Sequence, residues 1–339
     1  MLPFPDTLPD PLIPDADLQV AFDDTMTAAA QPLSTVPFTI VALDEAGGPH
    51  GFAGQLGEEF HYSASVLKVA AMYAAFELRK AANDLLAVLQ PPEADVFPAL
   101  SAEFDGEIQS HLVPQLGAMN AIFLMPKYDQ IFATQPTGAT ASVNFTPAFF
   151  GSLHDAIGSG KNAGAADCIH KLGYGYLTGV LSAAGFFDPG IDPDAGDGIW
   201  LCGDFGNGFP PKKIESVNDG PVAQAMSTNR MARLFTLLFE RRLVDPLSSD
   251  AMMGLLATAM ANGQFFLSLN GSGFATFQTK VGLGPLKTGT QVASEAAILR
   301  HISSARPFVA VWQNKPWTGV PSGAPVSQIV SGTLDAFVL

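Results

Sequence analysis

Apolar and polar positions along the chain fall into three textures. Near the start, PFTIVAL (37–43) is rich in β-branched and apolar residues and reads as a strand. The turn DEAGGPHG (44–51) then leads into a partner strand that begins GFAGQ. From Ser65 the pattern becomes a nearly unbroken apolar run, SVLKVAAMYAAFELRKAANDLL, which predicts a buried helix to about Leu86. The middle, roughly 87–220, alternates Ala-rich helical stretches such as GAADCIHKLGYGYLTGVLSAAGF (164–186) with the loops LQPPEADVFP (89–98) and TQPTGATASVNFTP (134–147). MSTNRMARLFTLLFERRLV (226–244) is an amphipathic helix with Met231, Leu234, Leu237, Leu238 and Leu243 on its apolar positions. SSDAMMGLLATAM (248–260) follows as another. After 263 the texture turns to strands, GFATFQTKVG, GPLKTGTQ, EAAILRHI and PFVAVWQN, before a closing helix over 327–339.

This order predicts an α/β fold with an added α-rich part: an antiparallel sheet flanked by helices, built from both chain ends, with a helical domain inserted. The expected boundaries are 1–34 for an N-terminal arm and helix, 35–86 with 221–339 for the α/β domain, and 87–220 for the insert.

Composition narrows the function. The 339 residues are 47% hydrophobic and only 14% charged, enough for a large core. Seventeen Lys and Arg against 32 Asp and Glu leave a net charge of −15, which argues against nucleic acid and anionic membranes as partners. No apolar run approaches the roughly 20 residues of a membrane span. The expected partner is a small-molecule substrate, and the oligomeric state is left open. The acidic, proline-rich start MLPFPDTLPDPLIPD has no signal-peptide pattern, so the expectation is a cytoplasmic protein or an exported one whose leader has been removed. Cys168 and Cys202 read as buried reduced thiols. The six histidines form neither H-E-x-x-H nor a Cys/His pairing, and no metal or cofactor is expected. Trp200, Phe205 and Phe209, in GIWLCGDFGNGF (198–209), fit a substrate pocket and a packed core equally well.

One residue disturbs the picture. Lys68 stands in the first turn of the buried helix, where the helix dipole disfavours a cation and a capping box would place Glu or Gln. A buried lysine must be paired or give up its proton. Ser65 lies three residues earlier, on the same helix face. A lysine with a depressed pKa can take the serine proton, freeing the oxygen to attack a carbonyl carbon. The Ser65 backbone N–H, at the helix start, would then face the developing oxyanion. Late in the chain LKTGTQV supplies Lys287 and Thr288, able to hold a substrate carboxylate, and Gly289, which lets a substrate backbone approach. The Thr290 N–H would be the second oxyanion donor.

S-x-x-K on a buried helix followed by K-T-G on a late strand resembles the serine β-lactamase and penicillin-binding protein superfamily, and most nearly the class A β-lactamases and their serine-hydrolase relatives. The resemblance covers roughly residues 35–339. It implies Ser65 as nucleophile, Lys68 as base, Ser65 and Thr290 as oxyanion-hole donors, and Lys287, Thr288 and Gly289 as substrate contacts. The family also carries S-x-N on a loop before a helix. Ser142-Val143-Asn144, Ser216-Val217-Asn218 and Ser227-Thr228-Asn229 all spell it, but SGKNAGAADCIHKLG (159–173) fits by position. Asn162 then takes the asparagine role and Gly160 the serine slot, with Ser159 one residue away. The class A pattern E-x-x-L-N, whose glutamate activates the deacylating water, is missing; Glu215 in KKIESVND is the candidate for that work. The activity implied is that of a serine hydrolase forming an acyl-enzyme on Ser65, with an amide or ester substrate such as a β-lactam or a D-amino-acyl peptide. A carboxylesterase on the same fold and a non-catalytic binding protein that retains it are the alternatives.

Overall fold

The computed structural model describes residues 2–29, 33–44, 48–137, 140–206, 208–218, 223–269, 271–317 and 324–338. The chain divides into two units: a sheet unit of Pro9–Leu67, Ser216–Gly220 and Ala225–Leu339, and a helical unit of Met1–Leu8, Lys68–Glu215 and Pro221–Gln224.

The sheet unit is organised on six strands: β1 (Leu12–Pro14), β2 (Phe38–Ala42), β3 (His50–Gln55), β4 (Phe274–Pro285), β5 (Gln291–His301) and β6 (Pro307–Pro316), in the order β1-β3-β2-β6-β5-β4. Only β1 and β3 run parallel; every other neighbouring pair is antiparallel. One row across the sheet reads Thr279, Ala297, Ala310, Ile40, Ala53. Alternation along β2 sends Phe38, Ile40 and Ala42 to one face. There they share a core with Leu18 and Phe22 of the helix Ala16–Ala28, and with Ile329, Val330 and Leu334 of the helix Ala324–Val338. Thr39 points the other way, with its Oγ1 2.7 Å from Thr228 Oγ1 at the start of the helix Thr228–Phe239. An antiparallel sheet built from both chain ends and flanked by helices is therefore the observed architecture. Its last strand, β4, is an edge, which leaves one row of backbone groups outside the sheet pairing.

Glu295, central in β5, is wholly buried, and burial pushes its carboxyl up to about 7, against the hydrogen bonds from Thr279 Oγ1 and the Leu267 and Phe266 N–H groups. The folded state therefore holds a proton that the unfolded chain releases near pH 4–5, so this contribution to stability is full at acid pH and is lost as pH rises through about 7. Glu295→Gln is expected to stabilise the protein at pH 8 relative to pH 5 by on the order of 3 kcal/mol. Denaturant unfolding at the two pH values checks it, and an unchanged pH dependence would refute it.

The helical unit packs around the helix Lys68–Leu89, whose first half, Lys68 to Leu78, is buried on all sides. Its neighbours are the helices Pro147–Ile157, Asn162–Leu172 and Tyr174–Ala183 and the strand Thr140–Phe145. The division between the units falls at 67/68. The helix Ala16–Ala28 lies in the sheet unit, where Leu18 and Phe22 sit in the core. One difference from the sequence pattern lies at 134–147, expected as a loop: Phe132–Thr137 and Thr140–Phe145 pair as a hairpin. Phe145 is the reason, since it packs edge-on to Phe76 at 5.2 Å and against Phe149 at 5.4 Å. Cys168 and Cys202 are both buried free thiols, pushed upward in pKa by burial. Among the described residues no helix is long and apolar enough to cross a membrane.

Candidate active site

Ser65 stands on the 3-10 turn Ala64–Leu67, which runs directly into the helix Lys68–Leu89. Its side chain is half-buried, between the buried Ala64 and Val66. Ala64 has φ 51, a left-handed conformation that costs a non-glycine residue roughly 1–3 kcal/mol. That turn lies against the edge strand β4. A Cβ added to Gly282 would come 2.4 Å from Ser63 O, 2.9 Å from Ser65 N and 3.0 Å from Val66 N. Only glycine lets the strand backbone approach this closely.

The strand residue against the Ser65 turn is Gly282. Lys287, Thr288 and Gly289, read from sequence as part of a strand, lie exposed in the connection between β4 and β5. Leu286 N–H donates to Thr290 O and Gly289 N–H to Leu286 O, both at 2.9 Å, and Gly289 takes φ 85. Proline at the end of β4 and a glycine able to adopt positive φ make this a reverse turn. Thr290, also exposed, has its N–H 3.4 Å from Thr288 Oγ1. Seven residues upstream, Lys280-Val281-Gly282 repeats the K-x-G spacing inside β4, with the Lys280 side chain buried and its Nζ 3.1 Å from Val281 O. The signal was present in TKVGLG, but valine in the middle position hid it.

In the helical unit, Lys68 is 1% exposed. Its Nζ donates to Gly160 O at 2.6 Å and to Asn162 Oδ1 at 2.8 Å. Asn162 is the first residue of the helix Asn162–Leu172, and Gly160, at φ 70, turns its carbonyl toward the amine from the preceding loop. Burial pulls the Lys68 pKa down to about 8. Two acceptors match the two N–H bonds of a neutral amine and leave its lone pair for a third direction. The Phe205 ring centroid lies 5.0 Å from the same Nζ.

The other sequence candidates separate. Ser159 is half-buried beside Gly160, and at that point Lys68 takes the Gly160 carbonyl instead of a serine hydroxyl. Lys161 is exposed and paired with Asp155 at 3.0 Å. Glu215 is exposed, with its backbone N–H on Asp194 O at 2.8 Å. Tyr174 and Tyr176 are buried core residues whose hydroxyls are held neutral by desolvation.

No family model matches the sequence, and no curated protein matches it by sequence. Solved structures do match in fold. A representative class A β-lactamase from Bacteroides cellulosilyticus superposes with a TM-score of 0.53 at 12% identity, covering 94% of this chain and 96% of that one. A β-lactamase from Sphaerobacter thermophilus gives 0.50 at 15% identity, covering 96% and 98%. The protein PBP-A gives 0.52 at 14% identity, covering 98% and 99%.

Proposed function

We propose that this chain, which has the fold of the serine β-lactamases and penicillin-binding proteins, is a serine hydrolase that works through an acyl-enzyme on Ser65. The observation that carries the reading is Lys68: a buried amine with a pKa near 8, held by Gly160 O and Asn162 Oδ1, one turn along the chain from Ser65. Ser65 Oγ attacks the substrate carbonyl carbon while its proton passes to the neutral Lys68 Nζ. The C–N or C–O bond of the substrate then breaks as the Lys68 ammonium passes the proton to the leaving nitrogen or oxygen, which stays tethered in a β-lactam and departs as the alcohol of an ester. Ser65 N–H is one oxyanion donor. The second, assigned to the residue after K-x-G, becomes the Leu283 N–H of β4 in place of Thr290.

A carboxylesterase reading gains from one feature. Val281 puts an isopropyl group where K-T-G would put a hydroxyl, and Lys280 is buried, so the strand offers less to a substrate carboxylate. Neutral esters then become substrates as good as anionic β-lactams.

Intact-protein mass spectrometry with a penicillin, a chromogenic cephalosporin and an activated short-chain ester tests both readings. A mass adduct on the wild type is expected with at least one of them. Its rate of formation rises about tenfold from pH 7 to pH 9, because the base works only in its neutral form. An ester adduct without a β-lactam adduct selects the esterase. No adduct with any probe would overturn the hydrolase and leave a binding protein on this fold.

A further inference from the structure

The loop after the strand Asp197–Leu201 carries the ring that faces Lys68. Phe205 adopts φ 59, a left-handed conformation that a phenylalanine keeps only where its surroundings impose it. The preceding residue does so. Asp204 is 3% exposed, and its carboxylate accepts from Gly206 N–H at 2.9 Å, Gly208 N–H at 2.8 Å and Phe209 N–H at 2.9 Å. It also lies 2.6 Å from His170 Nε2. Burial alone would raise the Asp204 pKa, but the bonds from His170 and the three backbone N–H groups outweigh it and hold the group below its ordinary value.

His170 projects from the helix Asn162–Leu172, the helix whose first residue binds Lys68. Its ring stacks on Phe209 at 4.1 Å, and Phe209 is edge-on to Phe123 and Tyr174. The loop is thus clamped at Asp204, wedged at Phe209, and presents Phe205 to the amine between them.

We infer that Phe205 is an apolar cap that keeps water from Lys68 and so prolongs the life of the acyl-enzyme, with Asp204 and His170 as the residues that position it. The inference rests on the hydrolase reading above. Release of the acyl group needs a water that gives up a proton as its oxygen attacks the ester carbon. The C–Oγ bond then breaks, Ser65 Oγ regains a proton, and the acyl group leaves as its acid. The base for that water is the same Lys68, since Glu215 is exposed. A phenyl face offers a water no hydrogen bond. That effect acts on the hydrolytic water, and so on deacylation after acylation has occurred.

Two readouts test this on the full chain. One is reductive methylation of Lys68 in the unliganded protein, measured by peptide mass spectrometry against the exposed Lys213. The other is the lifetime of the adduct. Phe205→Ala is expected to speed Lys68 methylation and shorten the adduct lifetime, each by at least about tenfold, while acylation changes less than about threefold. Phe205→Leu, still apolar, keeps both near wild type. His170→Ala, which frees one side of Asp204, moves both in the direction of Phe205→Ala. A merely structural defect would slow acylation and lower Tm without shortening the lifetime. Lys68 equally protected in Phe205→Ala, or an adduct equally long-lived, overturns the cap. If the wild type forms no adduct, the hydrolase reading falls and the methylation readout alone decides whether the ring shields the amine.

Discussion

Ser65→Ala leaves no covalent adduct with any probe that labels the wild type, and Lys68→Met lowers the acylation rate by about two to four orders of magnitude, the usual contribution of a positioned general base. The two variants fail differently. Removing Oγ removes the bond-forming atom, so the loss is complete and independent of pH. Removing the amine leaves the nucleophile but not the group that takes its proton, so a slow residual acylation survives without the rise through pH 8. Methionine suits the test because it is close to lysine in length and removes a buried cation. It also leaves Gly160 O and Asn162 Oδ1 without their donor, a loss of about 1–3 kcal/mol for a buried acceptor. The desolvation that lowers the Lys68 pKa disappears at the same time and offsets part of that loss. A Tm close to the wild-type value is therefore expected, and it separates a chemical defect from an unfolded protein. An adduct in Ser65→Ala, or acylation at the wild-type rate in Lys68→Met, would sink the mechanism.

Much of the fold, and the position of Lys68 within it, is legible in the sequence. The helix that carries Lys68 shows itself by being apolar on every side, and a cation in its first turn is conspicuous for that reason. The strands β2, β5 and β6 show as β-branched and apolar runs because the sheet is covered on both faces. The hairpin at 132–145 was hidden because its polar, proline- and glycine-bearing residues outweigh Phe132, Val143 and Phe145 in a local reading. Only their packing against the Lys68–Leu89 and Pro147–Ile157 helices turns the segment into strands. The Phe205 cap was illegible for a related reason. An aromatic in a glycine-rich loop gives no local clue to what it faces, and the Asp204 clamp joins groups from 34 residues apart in sequence. The K-T-G string matches a motif letter for letter, but Pro285 before it and its own Gly289, at φ 85, are turn residues, and the string lies in a turn rather than in a strand. Three letters weigh less than the conformations their neighbours allow.

Gly282→Ala is the change that separates the two K-x-G strings. The added methyl would meet backbone atoms, Ser63 O at 2.4 Å and Ser65 N at 2.9 Å, and neither can swing away as a side chain could. Either β4 retreats or the 3-10 turn moves, and both displace the Ser65 N–H from the strand edge. Overpacking of this kind costs about 1–3 kcal/mol of stability. The expected fall in acylation is about a hundredfold or more, the scale of losing one oxyanion donor. Lys287→Ala, on the exposed turn, is expected to change acylation less than about twofold and stability by no more than about 0.5 kcal/mol. Measuring both variants with one acylating probe, alongside their Tm values, sets the strand against the turn. If Lys287→Ala instead cripples acylation of an anionic β-lactam while Gly282→Ala is silent, the substrate carboxylate is bound at the turn and the assignment to β4 is wrong. If Gly282→Ala alone is crippled, equally for neutral esters and anionic β-lactams, the edge of β4 serves the oxyanion, and the valine at 281 explains why the carboxylate adds little.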